Sequence, residues 1–274
     1  MRPLQVLWPT IRQRVLSARH GLLCCDVDGT LAPIVDHPSR ARLPAGTTRL
    51  LTRLVDLPRL RVVLVSGRAL HDLKRMVGVR GLYYIGNHGL ELQGPNLRYV
   101  NPVARARRPL LKRVAGKFKA ALRPIPGAWV EEKGLTLSVH WRAVPRSAQR
   151  TFHQLLKTLT APYLRRGVIH LTRGKRVVEI RPAVDWDKGM VVDWLLKRLA
   201  GRFTSTRHWI TYLGDDQTDE DAFRMVNRLG GISVFVGDPR RRTAARFWLK
   251  DPQEVRRWLA TLERWKRWNS SNSP

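Results

Sequence analysis

The 274-residue chain is 43% hydrophobic and 8% aromatic, enough for a folded protein with a sizeable core. Its apolar runs all fall short of the roughly 20 residues that cross a bilayer, and two adjacent cysteines, Cys24 and Cys25, exclude a disulfide framework or a cysteine zinc site. The formal charge of +30, from 51 Lys and Arg against 21 Asp and Glu, suits anionic partners, although no aromatic-interleaved RNA-binding signature accompanies it.

The start, Met1 to Trp8, lacks a long apolar segment and a small-residue cleavage site, so no secretory leader and a cytoplasmic location are expected. A short amphipathic helix is expected over Arg12 to Arg19. The run Leu22-Leu23-Cys24-Cys25 then reads as a buried strand that ends in Asp26-Val27-Asp28-Gly29-Thr30. Two carboxylates there repel unless a cation or a shared proton relieves them, so packing alone does not explain them. A second strand, Leu60 to Val65, ends in Ser66-Gly67-Arg68, and a further core strand leads into Asn87 and His88.

Residues 104 to 183 have a different character, with 19 basic and 3 acidic side chains. Helical patterns near Pro109 to Leu122 and over Ser147 to Thr160 alternate with strand candidates within Gly127 to Arg142 and Val168 to Pro182. Leu135, Leu137, Val139 and Trp141 fall on one strand face, Thr136, Ser138, His140 and Arg142 on the other. Val178 and Ile180 likewise oppose Lys175, Glu179 and Arg181.

Beyond this stretch, Asp185-Trp186-Asp187-Lys188-Gly189 opens a helix over Met190 to Leu199, with Lys188 at its start. The strand Trp209 to Leu213 closes in Gly214-Asp215-Asp216-Gln217-Thr218, and Asp219, Glu220 and Asp221 favour the next helix through its dipole. Trp258, Trp265 and Trp268 are expected on one face of a C-terminal helix, and Asn269 to Pro274 as a disordered tail.

Every functional group thus follows an apolar strand or opens a helix, positions that a parallel sheet gathers on one edge. The expected fold is α/β: a doubly wound parallel sheet, a Rossmann-like core over residues 1–103 and 184–274, interrupted by an α+β insertion at 104–183.

The four polar motifs resemble the signature set of the haloacid dehalogenase (HAD) superfamily of phosphotransferases. More narrowly, Ile85 to Glu91, Gly134 to Arg142 and Tyr212 to Phe223 resemble the trehalose-6-phosphate phosphatase family, the chain departing at Val27, where an aromatic is common. The resemblance runs from about Leu22 to about Leu259 and makes the insertion a cap that sets substrate specificity.

It implies Mg²⁺-dependent hydrolysis of trehalose 6-phosphate through an aspartyl-phosphate. Asp26 is the expected nucleophile and Asp28 the acid that protonates the departing sugar oxygen, then the base for water. Ser66 is expected to bind a phosphoryl oxygen and Lys188 to neutralise charge. The Asp26 side chain, the Asp28 backbone carbonyl and Asp215 are the implied metal ligands, with Asp216 orienting the metal water or Lys188. Sugars are selected by fixed hydrogen bonds, so the substrate contacts expected are Arg68, Asn87 and His88 in the core and Glu131, Lys133, His140, Arg142, Lys175 and Glu179 in the insertion.

Phosphatases of sucrose phosphate or mannosyl-3-phosphoglycerate share this core and differ in the cap. A basic nucleic-acid-binding protein on a phosphatase scaffold is the remote alternative, and no specific nucleic acid is expected. Without a preceding glycosyltransferase segment, a separate trehalose-phosphate synthase chain is expected to supply substrate; no membrane is involved, and the oligomeric state is open.

Overall fold

The computed structural model describes residues 1–18, 20–174, 176–199 and 208–271. They divide into two compact units, Met1–Tyr99 with Trp186–Pro274, and Val100–Asp185. No described helix is long and apolar enough to cross a membrane.

The first unit begins with β1 (Arg2–Pro3), α1 (Leu4–Ser17), β2 (His20–Asp26), α2 (Thr47–Val55), β3 (Leu60–Val65), α3 (Leu70–Val77), β4 (Tyr83–Gly86), β5 (Glu91–Gly94) and β6 (Leu97–Val100). The second unit follows, with α4 (Pro102–Ala106), α5 (Arg108–Leu122), β7 (Trp129–Glu132), β8 (Leu137–His140), α6 (Arg146–Arg165), β9 (Ile169–Gly174) and β10 (Val177–Pro182). The chain returns through α7 (Lys188–Arg198), β11 (His208–Gly214), α8 (Glu220–Arg228), β12 (Ile232–Val236), β13 (Phe247–Leu249) and α9 (Pro252–Ser271).

Nine strands form the first unit's sheet in the order β1-β13-β12-β11-β2-β3-β4-β5-β6. Pairing is parallel from β1 through β4 and turns antiparallel at β5. Side chains alternate across β2, and both sets are buried. Leu23 and Cys25 join a cluster with Leu51 and Leu54 of α2, Leu73 of α3 and Leu259 of α9. Leu22 and Cys24 face the opposite layer, with Val191 and Leu195 of α7 and Phe223 of α8. Helices on both faces explain why the central strands are continuous apolar runs.

The two cysteines are therefore small core side chains on opposite faces, and burial holds both thiols above their ordinary pKa.

Three peripheral expectations need correction. The N-terminal helix starts at Leu4, not Arg12, because Leu4 and Val15 are both buried in the core; Arg19 lies outside the described residues. Helix α9 extends through Asn269 to Ser271, where a disordered tail was expected, while 272–274 lie outside the described residues. Trp258 is buried and Trp265 stacks under the Arg12 guanidinium, but Trp268 is 58% exposed. At about 100° per residue the ten positions from Trp258 to Trp268 carry the last indole off the shared face.

The second unit is a four-stranded antiparallel sheet, β7-β8-β10-β9, under two helices. Leu111, Val114 and Phe118 of α5 and Phe152 and Leu156 of α6 pack on Leu137, Val139, Val178 and Ile180. The strand candidate Gly127 to Arg142 is a hairpin, β7 and β8, rather than one strand. Its other face aligns Glu131, Ser138 and Glu179 in one row, and Trp129, His140 and Val177 in the next.

Candidate active site

Parallel pairing sets β2 against β3 with Asp26 opposite Val65, so Asp26 and Ser66 emerge together from the carboxyl edge of the sheet. On the other side β2 pairs with β11, which delivers Asp215 one residue beyond its end. Helix α7 adds Lys188 as its first residue, behind the N-cap Asp187, whose side chain accepts from the Met190 amide at 2.7 Å.

Lys188 reaches across 162 residues to Asp26, Nζ to Oδ1 2.6 Å, and donates equally to Asp219 Oδ1 at 2.8 Å. All three groups are buried. Burial alone works against the Lys188 ammonium, but the Asp219 and Asp26 carboxylates outweigh it and hold its pKa above the ordinary value. Burial raises the pKa of Asp26, opposed by Lys188 and reinforced by Asp219 and Asp215. Lys188 thus meets two carboxylates, Asp26 and Asp219, and Asp215 stands beside them.

Ligand oxygens of Asp26, Asp215 and Asp219 lie within 4.8 Å of one another, a spacing that one divalent cation can bridge. The turn after β2 is shaped for it. Gly29 has φ +95°, and a Cβ there would fall 2.1 Å from Asp215 Oδ2, so only glycine lets the two loops approach.

Asp219 is the group that sequence reasoning under-read. Beyond its place at the start of α8, it accepts from Lys188, from the Tyr212 hydroxyl at 2.7 Å, and from the amides of Asp215 and Asp216 at 3.1 and 3.0 Å. Burial, then the Asp219 and Asp26 carboxylates, raise the Tyr212 pKa, so the phenol keeps the proton it donates. The expectation that Asp216 orients Lys188 is corrected: the Asp216 side chain accepts from the Gln217 amide and lies 3.5 Å from exposed Arg241. Spacing offered a signal, since Asp219 sits four residues after Asp215 where β11 gives way to a helical turn, and the i, i+4 step returns a carboxylate toward the strand end.

Asp28 is gripped by Arg68 through two parallel bonds, Nε to Oδ2 and Nη2 to Oδ1, each 2.7 Å. Arg68 also donates to the Pro38 carbonyl. Ser66 is buried, and its Oγ accepts from the Arg68 amide at 3.2 Å. Asn87 and His88 both adopt left-handed backbone, φ 48° and 57°, immediately after β4. Asn87 donates to Glu91, which also caps α3 through the Leu70 amide. The His88 ring lies against Gly67, where a Cβ would meet Cε1 at 2.4 Å. Core residues expected to meet substrate therefore sit at the same carboxyl edge of the sheet as Asp28 and Ser66, Arg68 on the loop after β3, Asn87 and His88 on the loop after β4.

A second polar cluster lies within the Val100–Asp185 unit. Glu179 accepts from Lys133 at 2.7 Å and Ser138 at 2.6 Å, with Lys133 and Glu179 side chains only 9% and 12% exposed. His140 Nε2 lies 2.8 Å from Glu131 Oε2, and its ring stacks on Trp129 at 4.0 Å and 7°. Trp129 carried no polar signal and was missed. Arg142 is exposed, and Lys175 lies outside the described residues.

With this geometry in hand, comparison with known proteins is informative. A family model described as trehalose-phosphatase matches residues 24–253. A trehalose-phosphate phosphatase of Mycobacterium leprae is 37% identical over 258 residues, covering 91% of this chain and 59% of its own. Trehalose-phosphate phosphatase B of Arabidopsis thaliana is 33% identical over 266 residues, covering 92% and 70%. The chain thus spans about three fifths of the mycobacterial relative's length. Among solved structures, the C-terminal domain of C. albicans trehalose-6-phosphate phosphatase superposes with a TM-score of 0.80 at 25% identity, covering 93% of this chain and 96% of that one.

Proposed function

The chain belongs to the trehalose-phosphatase family, and from that premise we propose that it is a Mg²⁺-dependent phosphatase converting trehalose 6-phosphate to trehalose and inorganic phosphate. One observation carries the reading: the Asp26 carboxylate, buried at a strand end, is pinned through Oδ1 by Lys188, leaving Oδ2 as the attacking oxygen. A phosphate monoester is a dianion with a poor leaving group, so its hydrolysis needs neutralised charge, an in-line nucleophile and a proton for the departing oxygen.

Asp26 Oδ2 forms the new bond to phosphorus as the sugar oxygen departs with a proton from Asp28. Asp28 then removes a proton from the water that cleaves the aspartyl-phosphate. To carry a proton, Asp28 must give up one of the two hydrogen bonds that it accepts from Arg68, and the anionic substrate offers that guanidinium a replacement partner. Ser66 donates its hydroxyl to a phosphoryl oxygen, while Lys188 stays protonated beside the nucleophile. Asp26, Asp215 and the Asp28 carbonyl would hold the metal ion, with Asp219 at its margin; when bound, Mg²⁺ supplies charge neutralisation to the phosphoryl group. Glu131, Lys133, His140 and Glu179 select the sugar.

The test is phosphate release from trehalose 6-phosphate, sucrose phosphate, mannosyl-3-phosphoglycerate and p-nitrophenyl phosphate, with Mg²⁺ and with chelator. Trehalose 6-phosphate should be preferred, chelation should stop turnover, and Asp26→Asn should abolish it while the fold persists. Turnover by Asp26→Asn would remove the nucleophile, and preference for another ester would remove the substrate.

A further inference from the structure

The Val100–Asp185 unit has 19 Lys and Arg against 4 Asp and Glu, so 86 residues carry +15 while the other 188 share the remaining +15. Of these cations the proposed function employs only Lys133. Its distribution is ordered, because neither α5 nor α6 contains a single acidic residue. More broadly, no Asp or Glu occurs between Glu91 and Glu131, or between Glu132 and Glu179.

Both helices commit their apolar stripes to the same face of the four-stranded sheet. The opposite stripes, carrying Arg113 and Lys117 on α5 and Arg150, Lys157 and Arg165 on α6, are therefore turned to solvent side by side, and all five are exposed. Lys117 lies over the Tyr163 ring, 5.8 Å from its centroid, which ties the two helices together at that point. At 15 and 20 residues, α5 and α6 are roughly 22 and 30 Å long, a plateau comparable to one turn of a nucleic-acid duplex.

From this juxtaposition we propose that the outer face of α5 and α6 binds double-stranded nucleic acid through its phosphates, without reading sequence. Charge complementarity selects the partner: a rigid array of cations, most of them arginine, fits phosphate oxygens through forked hydrogen bonds. The plateau lacks the two features that would favour other polyanions. No exposed Phe, Tyr or Trp stands among these cations to stack a single-stranded base, and Leu164, 40% exposed, is its one large apolar side chain open to a lipid interior.

Fluorescence anisotropy with a labelled 20-base-pair duplex tests the proposal on the full chain across roughly 50 to 200 mM salt. Arg113→Gln/Arg150→Gln/Lys157→Gln/Arg165→Gln removes four exposed cations from this face. Arg49→Gln/Arg80→Gln/Arg242→Gln/Lys250→Gln removes four from the other unit and leaves an identical net charge. If half of the four cations on the face each meet a phosphate, their loss weakens binding about 50-fold at 0.1 M salt and flattens the logarithmic salt slope by about 2. The matched control should change binding less than about fivefold, and hydrolysis of p-nitrophenyl phosphate should be unaltered in the face variant. Should the quadruple variant misfold, Arg113→Gln/Arg150→Gln carries the same comparison. Equal losses in both variants would overturn the proposal in favour of diffuse charge. So would parent binding to phosphatidylserine vesicles without binding to duplex.

Discussion

Replacing Asp219 by Asn keeps the shape of a completely buried side chain and changes only what it can accept. Four donors converge on it: Lys188 Nζ and the Tyr212 hydroxyl on Oδ1, the Asp215 and Asp216 amides on Oδ2. A carboxamide has one acceptor oxygen, so whichever way it turns, its NH₂ faces two of these donors. Each unsatisfied buried donor costs about 1–3 kcal/mol, and removing one partner of a buried ion pair about 3–5 kcal/mol. Asp26 remains as a second counter-charge for Lys188, which places the expected loss near the lower end, about 3 kcal/mol. That loss is one of folding stability; kcat should fall as well, by about tenfold or more, because Lys188 loses one of its two carboxylate anchors, with KM little changed since Asp219 acts on Lys188 rather than on the substrate. Urea denaturation with steady-state phosphate release reads both quantities. An Asp219→Asn enzyme within about fivefold of the parent in kcat, and within about 1 kcal/mol in stability, would refute the argument that Asp219 holds Lys188 in place.

Two other substitutions probe different parts of the molecule. Arg68→Ala releases the Asp28 carboxylate from both its bonds and removes a cation from the substrate path; kcat/KM for trehalose 6-phosphate should fall about 10- to 100-fold, and an unchanged value would exclude Arg68 from substrate handling. Lys266, packed over the Trp209 ring, has its pKa pushed by burial from the ordinary 10.5 down to about 8. The unfolded chain therefore binds more protons than the folded one between those values, and stability gains a contribution that grows as pH rises through that window. In Lys266→Met this contribution disappears, so the urea midpoint of the parent should rise relative to the variant between about pH 8 and pH 10; parallel profiles would show that the burial cost is absent.

Much of the molecule could be read from the chain because the relevant signals are local. Apolar runs bounded by turn residues located β2, β3 and β11, and the polar residues at their ends followed from the rule that parallel strands share a carboxyl edge. Alternation in β8 and β10 separated Leu137, Val139, Val178 and Ile180 from Ser138, His140 and Glu179, because side chains in a strand change face at every residue. Asp26, Ser66, Lys188 and Asp215 could be named without coordinates for the same reason.

Partner choice within these sets was decided by folding. Asp215, Asp216 and Asp219 are equivalent as letters in one acidic segment, yet the turn after β11 buries Asp219 under Lys188 and leaves Asp216 facing Arg241. The Arg68 grip on Asp28 and the Trp129 stack on His140 likewise join positions 40 and 11 residues apart. Propensity and periodicity act over a turn of helix or a pair of strand residues, whereas a hydrogen bond between distant segments exists only once the sheet has brought their loops to one edge.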